Sequence, residues 1–312
     1  MKPDVLFLQA LPPAVESQMA SLYVVHRLYQ QPDPAAYVSQ HCALIRAVVT
    51  GGGLGIKNAM IDALPALEVI AIFGVGTDAV DLEYARTRGV LVSNTPDVLT
   101  DDVADLALGL MIATLRRMGE AERYVRDGAW GQRPQPGLAR RVSGKQVGIV
   151  GLGRVGKAIA RRLQGFGCAI RYFGPRRYDD VDYEYVADLV ELARVSDVLV
   201  LSAAGDRALG IIDATVLDAL GPDGVLINVA RGKVVDEAAL LAALQSGRLG
   251  GAGLDVFADE PNVPAALLDM DQVVLQPHRG SATHETRQAM GELVQANLHA
   301  FFAGHSLPTR VV

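Results

Sequence analysis

Three polar side chains stand where apolar runs stop. Arg231 follows LINVA, Glu260 follows GLDVFAD and precedes Pro261, and His278 follows VVLQP. An arginine can hold a carboxylate through two parallel hydrogen bonds and polarise a neighbouring carbonyl. A histidine can deliver a proton near neutral pH, and a glutamate beside it favours the charged imidazolium. Together the three suffice to reduce the carbonyl of a 2-keto acid as a hydride arrives. Any one of them alone is more often structural, so the weight rests on the joint pattern.

A hydride needs a carrier, and residues 151–156 read GLGRVG between the apolar run QVGIV and the helical run RVGKAIARRL. Gly151 permits a tight turn, Gly153 lets the backbone approach a pyrophosphate, and Gly156 lets helix pack on strand. Arg154 and Val155 open the helix, whose free N–H groups and dipole favour an anion. In a dinucleotide-binding unit an acidic residue usually ends the second strand and holds the ribose 2′-hydroxyl. Here residues 171–180 read RYFGPRRYDD. Gly174 leaves room for a 2′-phosphate, and Arg176 and Arg177 offer forked, charged donors. The expectation is NADP(H), with NAD(H) the weaker alternative. The counter-reading makes Asp179 or Asp180 the ribose ligand and leaves the arginines in solvent.

A second glycine pattern, GVGTDA at 74–79, also follows an apolar run, but the chain then turns into NTPDV rather than a second dinucleotide unit. Val75 and Gly76 are read as backbone donors for a small carboxylate, against an ordinary strand-to-helix turn. GGGLG at 51–55 is either a close-approach loop or a flexible turn.

These residues need elements to hold them. DVLFL, ALIRAVVT, LEVIAIFG and GVLVSN read as strands, and AVESQMASL, IKNAMIDAL and AVDLEYARTR as helices, in the βαβ rhythm of a parallel sheet. Pro96 marks a hinge, and a helix of about twenty residues is expected from Asp101. Six further strands, from QVGIV to QVVLQP, match a full dinucleotide-binding sheet. The fold class expected is therefore α/β, with two Rossmann-like doubly wound parallel-sheet domains. Residues 1–100 and 283–312 form a discontinuous substrate domain, and 101–282 an inserted cofactor domain.

The 312 residues are half hydrophobic, enough for a large core. A net charge of −6 without a long basic run argues against a nucleic-acid partner. The longest apolar stretch, at 103–115, contains Asp105 and is too short for a bilayer. The N-terminal run carries Asp4 and reads as a first strand, not a signal peptide. Cys42 and Cys168 lack metal-ligand spacing and are expected as reduced core residues of a cytoplasmic enzyme. No metal is expected.

VGIVGLGRVG, LINVARGKVVDEAALLAAL, GAGLDVFADEP and QPHRGSATHETR together resemble the D-isomer-specific 2-hydroxyacid dehydrogenase family, over nearly the whole chain. The resemblance implies catalytic Arg231, Glu260 and His278, and substrate contacts from Val75, Gly76, Arg231 and His278. Along the cofactor it implies Ser202, Val229, Arg231, Asp255, His278 and Gly280, with Asp255 at the nicotinamide. It implies a cleft that closes on the substrate and a homodimer. NVARG with the FGPRR loop is similar to the NADPH-preferring glyoxylate/hydroxypyruvate reductases, and aromatic 2-keto acid reductases share much of the pattern. Two departures stand out. Arg279 replaces the small apolar residue that commonly follows the histidine, and SAAGD at 202–206 replaces a Pro-Thr form. Arg279 either faces the substrate or changes nothing. Trp130 either covers the dimer interface or reaches a partner's substrate. Leu54, Val75, Trp130 and Arg279 are expected to set pocket size. The same fold also carries nucleotide-sensing corepressors, a binding class expected to lack turnover on any 2-keto acid.

Overall fold

In the computed structural model, residues 2–203 and 208–312 are described. The chain divides into two units, Met1–Leu99 with Ala282–Val312, and Thr100–Ser281.

The first unit is built on five parallel strands: β1 (Asp4–Phe7), β2 (Val24–Arg27), β3 (Ile45–Gly51), β4 (Val69–Phe73) and β5 (Leu91–Ser93). Their order is β2-β1-β3-β4-β5, a doubly wound arrangement that reverses between β1 and β3. Strand residues alternate between faces, and here both faces are apolar because both are covered. Val5, Phe7, Ala47, Val49 and Ala71 pack with one cluster, while Leu6, Val48, Ile70 and Ile72 pack with the other. The helix His284–Phe302 brings Met290, Val294 and Leu298 to the first cluster at four-residue spacing. Each is at most 1% exposed and contributes about 1.5–3 kcal/mol by burial. Thr283 caps that helix, accepting from the Thr286 amide at 3.2 Å.

Strand β2 is absent from the sequence reading. It is an edge strand with exposed Val24 and polar His26 and Arg27, so the apolar signal is broken. His26 is buried through its polar atoms, lying 2.7 Å from Asp4 and 2.8 Å from the Tyr37 hydroxyl.

The second unit has seven parallel strands: β6 (Gln146–Val150), β7 (Ala169–Phe173), β8 (Glu184–Tyr185), β9 (Val198–Leu201), β10 (Val225–Asn228), β11 (Gly251–Leu254) and β12 (Val273–Leu275). Their order is β12-β11-β10-β9-β6-β7-β8. The order reverses between β6 and β9, and open α/β sheets bind ligands beyond the carboxyl ends of strands at such a switch point. The seventh strand is the two-residue β8, too short to leave a pattern.

The single long helix expected from Asp101 is two helices, Thr100–Leu115 and Met118–Arg126. Arg117 breaks it in the left-handed region at φ 49°, with no glycine or proline to announce the break. Cys168 is buried, whereas Cys42 is only half-buried; both are free. Among the described residues no helix is long and apolar enough to cross a membrane.

Candidate active site

The glycine turn follows β6 at the switch point, and each glycine has a separate reason. Gly151 has φ 93°, and a Cβ there would lie 2.6 Å from the Ala203 Cα. A Cβ on Gly156 would lie 2.3 Å from the Gly151 carbonyl oxygen. Ser202 locks the same carbonyl, donating its hydroxyl at 2.7 Å. Gly153, by contrast, has no heavy atom within 4 Å of its Cβ position. It is the N-cap of the helix Arg154–Gln164 and supplies no side-chain cap. Open space in front of uncapped N–H groups fits a pyrophosphate.

This contrast gives an expected result. Gly153→Ala should leave thermal stability unchanged and raise the dinucleotide Kd about tenfold or more, because the methyl enters the anion's space. Gly156→Ala should lower Tm by several degrees. Helix propensity gains about 1 kcal/mol from Ala, but overpacking costs about 1–3 kcal/mol. Cofactor titration and thermal melts on both variants check it; equal losses of stability would be the wrong outcome.

The three polar residues hang from the carboxyl ends of β10, β11 and β12. Beyond β10, the buried Asn228 side chain ties the turn, donating from Nδ2 to the Arg231 carbonyl at 3.0 Å and accepting at Oδ1 from the Ala230 amide at 3.0 Å. Arg231 donates from Nη1 to the Ala230 carbonyl at 2.7 Å. The next residue, Gly232, abuts the loop after β11: a Cβ there would lie 1.9 Å from the Phe257 carbonyl carbon. That approach sets Arg231 beside the Glu260 loop, near enough for its charge to act on Glu260.

Glu260 accepts the Phe257 amide at Oε1, 3.1 Å, and faces the His278 Nδ1 at Oε2, 2.7 Å. The Glu237 carboxylate accepts the Ala258 amide at 3.1 Å and steadies the same loop. Partial burial works to raise the Glu260 carboxyl's pKa. The His278 hydrogen bond and charge, the Phe257 N–H and the Arg231 charge outweigh it and hold the group below the ordinary range. A carboxylate only accepts, so Nδ1 carries a hydrogen and Nε2 is the nitrogen left to exchange a proton.

His278 sits in the left-handed region at φ 53°. Its amide donates to the Asp255 carbonyl at 2.8 Å. The Asp255 carboxylate, 2% exposed, accepts the Arg279 amide at 2.6 Å and the Gly280 amide at 2.9 Å. Burial pushes the Asp255 carboxyl up, against those two N–H groups and the His278 charge. Asp255 thus fastens the histidine turn at three points. Arg279 gives its amide to Asp255 and leaves its side chain exposed.

The loop after β7 places Gly174 with open space around its Cβ position. The Arg176 guanidinium lies 5.0 Å from the Tyr178 ring centre. Arg177 lines an open cavity of about 470 Å³ together with Tyr178, Asp179, Asp182 and Glu184. Asp180 pairs with Lys157 at 2.5 Å.

In the first unit, Val75 and Gly76 follow β4, with Val75 exposed and its carbonyl accepting from Asn94 Nδ2 at 2.8 Å. GGGLG is a close-approach loop: a Cβ on Gly52 would lie 3.0 Å from the Gly76 carbonyl oxygen. Leu54 is exposed there. In the second unit Trp130 is 69% exposed. Val229 is buried behind β10. Of the SAAGD loop, Ala204, Gly205 and Asp206 lie outside the described residues.

Asn228 and Glu237 are positioning residues that the sequence reading does not name. Their signal is weak: a polar residue ending an apolar strand, and an acid at a helix start, each engaged with backbone rather than with another side chain.

Residues 108–280 match the family model described as D-isomer specific 2-hydroxyacid dehydrogenase, NAD binding domain. The chain is 48% identical over 299 residues to hydroxyphenylpyruvate reductase of Plectranthus scutellarioides, covering 96% of this chain and 95% of that one. It is 47% identical over 299 residues to glyoxylate/hydroxypyruvate reductase A of Arabidopsis thaliana, with the same coverage of 96% and 95%. Among solved structures, it superposes with a TM-score of 0.94 and 42% identity on the NADPH-dependent glyoxylate/hydroxypyruvate reductase of Sinorhizobium meliloti in complex with NADP and malonate, covering 100% of this chain and 97% of that one.

Proposed function

The chain belongs to the D-isomer-specific 2-hydroxyacid dehydrogenase family, and we propose that it uses NADPH to reduce a small 2-keto acid, glyoxylate to glycolate and hydroxypyruvate to D-glycerate. The observation that carries the reading is the His278–Glu260 pair at 2.7 Å with Arg231 beside it.

When bound, the reduced nicotinamide supplies a hydride to the carbonyl carbon. Arg231 holds the substrate carboxylate and polarises the carbonyl, so that the carbonyl oxygen gains negative charge near a fixed cation. His278, protonated on both nitrogens, gives its Nε2 proton to that oxygen and is left neutral, still donating from Nδ1 to Glu260. Glu260, accepting from Nδ1 at 2.7 Å, keeps the imidazole oriented with Nε2 free for the transfer. Gly151–Gly156 hold the pyrophosphate, and Ser202, Val229, Asp255 and Gly280 line or fix the cofactor's path. Gly174, Arg176 and Arg177 receive the 2′-phosphate. In the first unit, the amides of Val75 and Gly76 are donors suited to a carboxylate. A cytoplasmic homodimer completes the reading. The dimer part of it is supported by exposed Trp130 and by the helix Met118–Arg126, which buries no residue within the chain.

Initial rates with glyoxylate, hydroxypyruvate and phenylpyruvate, each with NADPH and NADH, test it. NADPH should be favoured by about tenfold or more through charge-assisted contacts to its phosphate. NADH preference would overturn the cofactor assignment. The similarity to a hydroxyphenylpyruvate reductase favours a second reading, an aromatic 2-keto acid, and phenylpyruvate as the best substrate would select it.

A further inference from the structure

Two cations share one tyrosine beside the loop after β7. Lys157 Nζ lies 4.6 Å from the centre of the Tyr178 ring, and Arg176 lies 5.0 Å from the same centre. They arrive from different elements. Lys157 stands in the first turn of the helix Arg154–Gln164, directly after Gly156, and Arg176 follows Phe173, the last residue of β7. Tyr178 is itself fastened, its amide donating to the Tyr172 hydroxyl at 2.8 Å. Tyr172 is fully buried, so the platform is anchored in the core. Lys157 Nζ also meets the Asp180 carboxylate at 2.5 Å, and the Lys157 side chain is 25% exposed against 68% for Asp180. The neighbouring Arg177 lines the acidic cavity with Asp179, Asp182 and Glu184.

Resting on the NADPH reading, we infer that Lys157 is a further cation of the 2′-phosphate site, paired with Arg176 across Tyr178 and held by Asp180 until the phosphate displaces that carboxylate. A phosphate carries more charge and more acceptors than a carboxylate and suits a site that offers two cations better. Asp180 is the exposed partner of the pair, so it regains water when a phosphate takes its place on Lys157. The ring restricts both long side chains and lowers the entropy lost on binding. Asp180 therefore acts on selectivity as a competitor, not as a ribose ligand.

The test uses calorimetric titration of the full chain with 2′,5′-ADP and with 5′-ADP, which differ by the 2′-phosphate. Wild type should bind 2′,5′-ADP the more tightly; equal affinity would overturn the NADPH reading itself. Given that preference, Lys157→Met should weaken 2′,5′-ADP about tenfold or more and leave 5′-ADP unchanged, which also reports an intact fold. Asp180→Asn should tighten 2′,5′-ADP several-fold. If Lys157→Met weakens neither ligand, or both equally, Lys157 is no phosphate ligand and the NADPH reading stands without it. If Asp180→Asn weakens 5′-ADP, Asp180 holds the ribose and the displacement is wrong.

Discussion

Replacing His278 with alanine should lower kcat by about 10²–10⁴-fold while dinucleotide affinity stays near wild type. The expectation follows from what the side chain touches. Its Nδ1 is committed to Glu260, so its chemistry lies at Nε2, and the turn that carries it is fixed by backbone atoms. Asp255 receives the amides of Arg279 and Gly280 and its carbonyl receives the His278 amide, none of which involves the imidazole. The turn should survive the substitution, and with it the groups around the cofactor. Truncation also removes a counter-charge from Glu260, but that carboxylate keeps the Phe257 amide. Pre-steady-state rates of NADPH oxidation, beside a binding titration, measure the two quantities separately. Wild-type turnover in His278→Ala would remove the histidine from the chemistry. Lost cofactor binding would mean that the ring has a structural duty absent from the hydrogen-bond pattern.

The second large effect is expected from a residue that touches no reacting atom. Gly232→Ala would put a methyl 1.9 Å from the Phe257 carbonyl carbon and 2.0 Å from its oxygen, so backbone must move. Two loops meet there, one carrying Arg231 and the other Glu260. A displacement near 1 Å in such a constellation costs about a hundredfold in rate. The stability cost of overpacking is about 1–3 kcal/mol, a few degrees of Tm and less than the whole stability of a folded unit. The variant should therefore fold, bind cofactor and lose kcat/KM by about a hundredfold. A Tm within a few degrees of wild type together with near-normal kinetics would show that the loops absorb the methyl without moving the site.

Arg231, Glu260 and His278 stood out in the sequence because each is polar and lies within a few residues of the end of an apolar strand. The glycine turn was legible for the same reason: strand, turn and helix succeed one another without interruption. What stayed hidden acts through backbone. Glu237 and Gly232 position the site by a hydrogen bond and a close approach between loops that are neighbours in space, not in sequence, while Asn228 ties its own turn through backbone atoms. The GGGLG loop was equally undecided until its neighbour at Gly76 was in place. The arginines after β7 looked alike as a pair, yet Arg176 lies against Tyr178 and Arg177 lines an acidic cavity. Among the elements, β2 and β8 gave no apolar alternation, one being a polar edge and the other two residues long. The break at Arg117 lacked the glycine or proline that usually marks one.

The order of the seven-stranded sheet has an evolutionary consequence. Residues that would read the 2′-phosphate lie on the loop after β7 and the helix after β6, whereas Arg231, Glu260 and His278 follow β10, β11 and β12. Two strands, β6 and β9, stand between β7 and β10, a separation of about 14 Å at ordinary strand spacing. Substitutions so far apart are close to additive in free energy. On the roles proposed above, selection could retune the choice of dinucleotide on one flank of the sheet and leave the proposed proton donor on the other intact. A lineage meeting a different ratio of reduced nucleotides has few positions to change and no chemistry to rebuild.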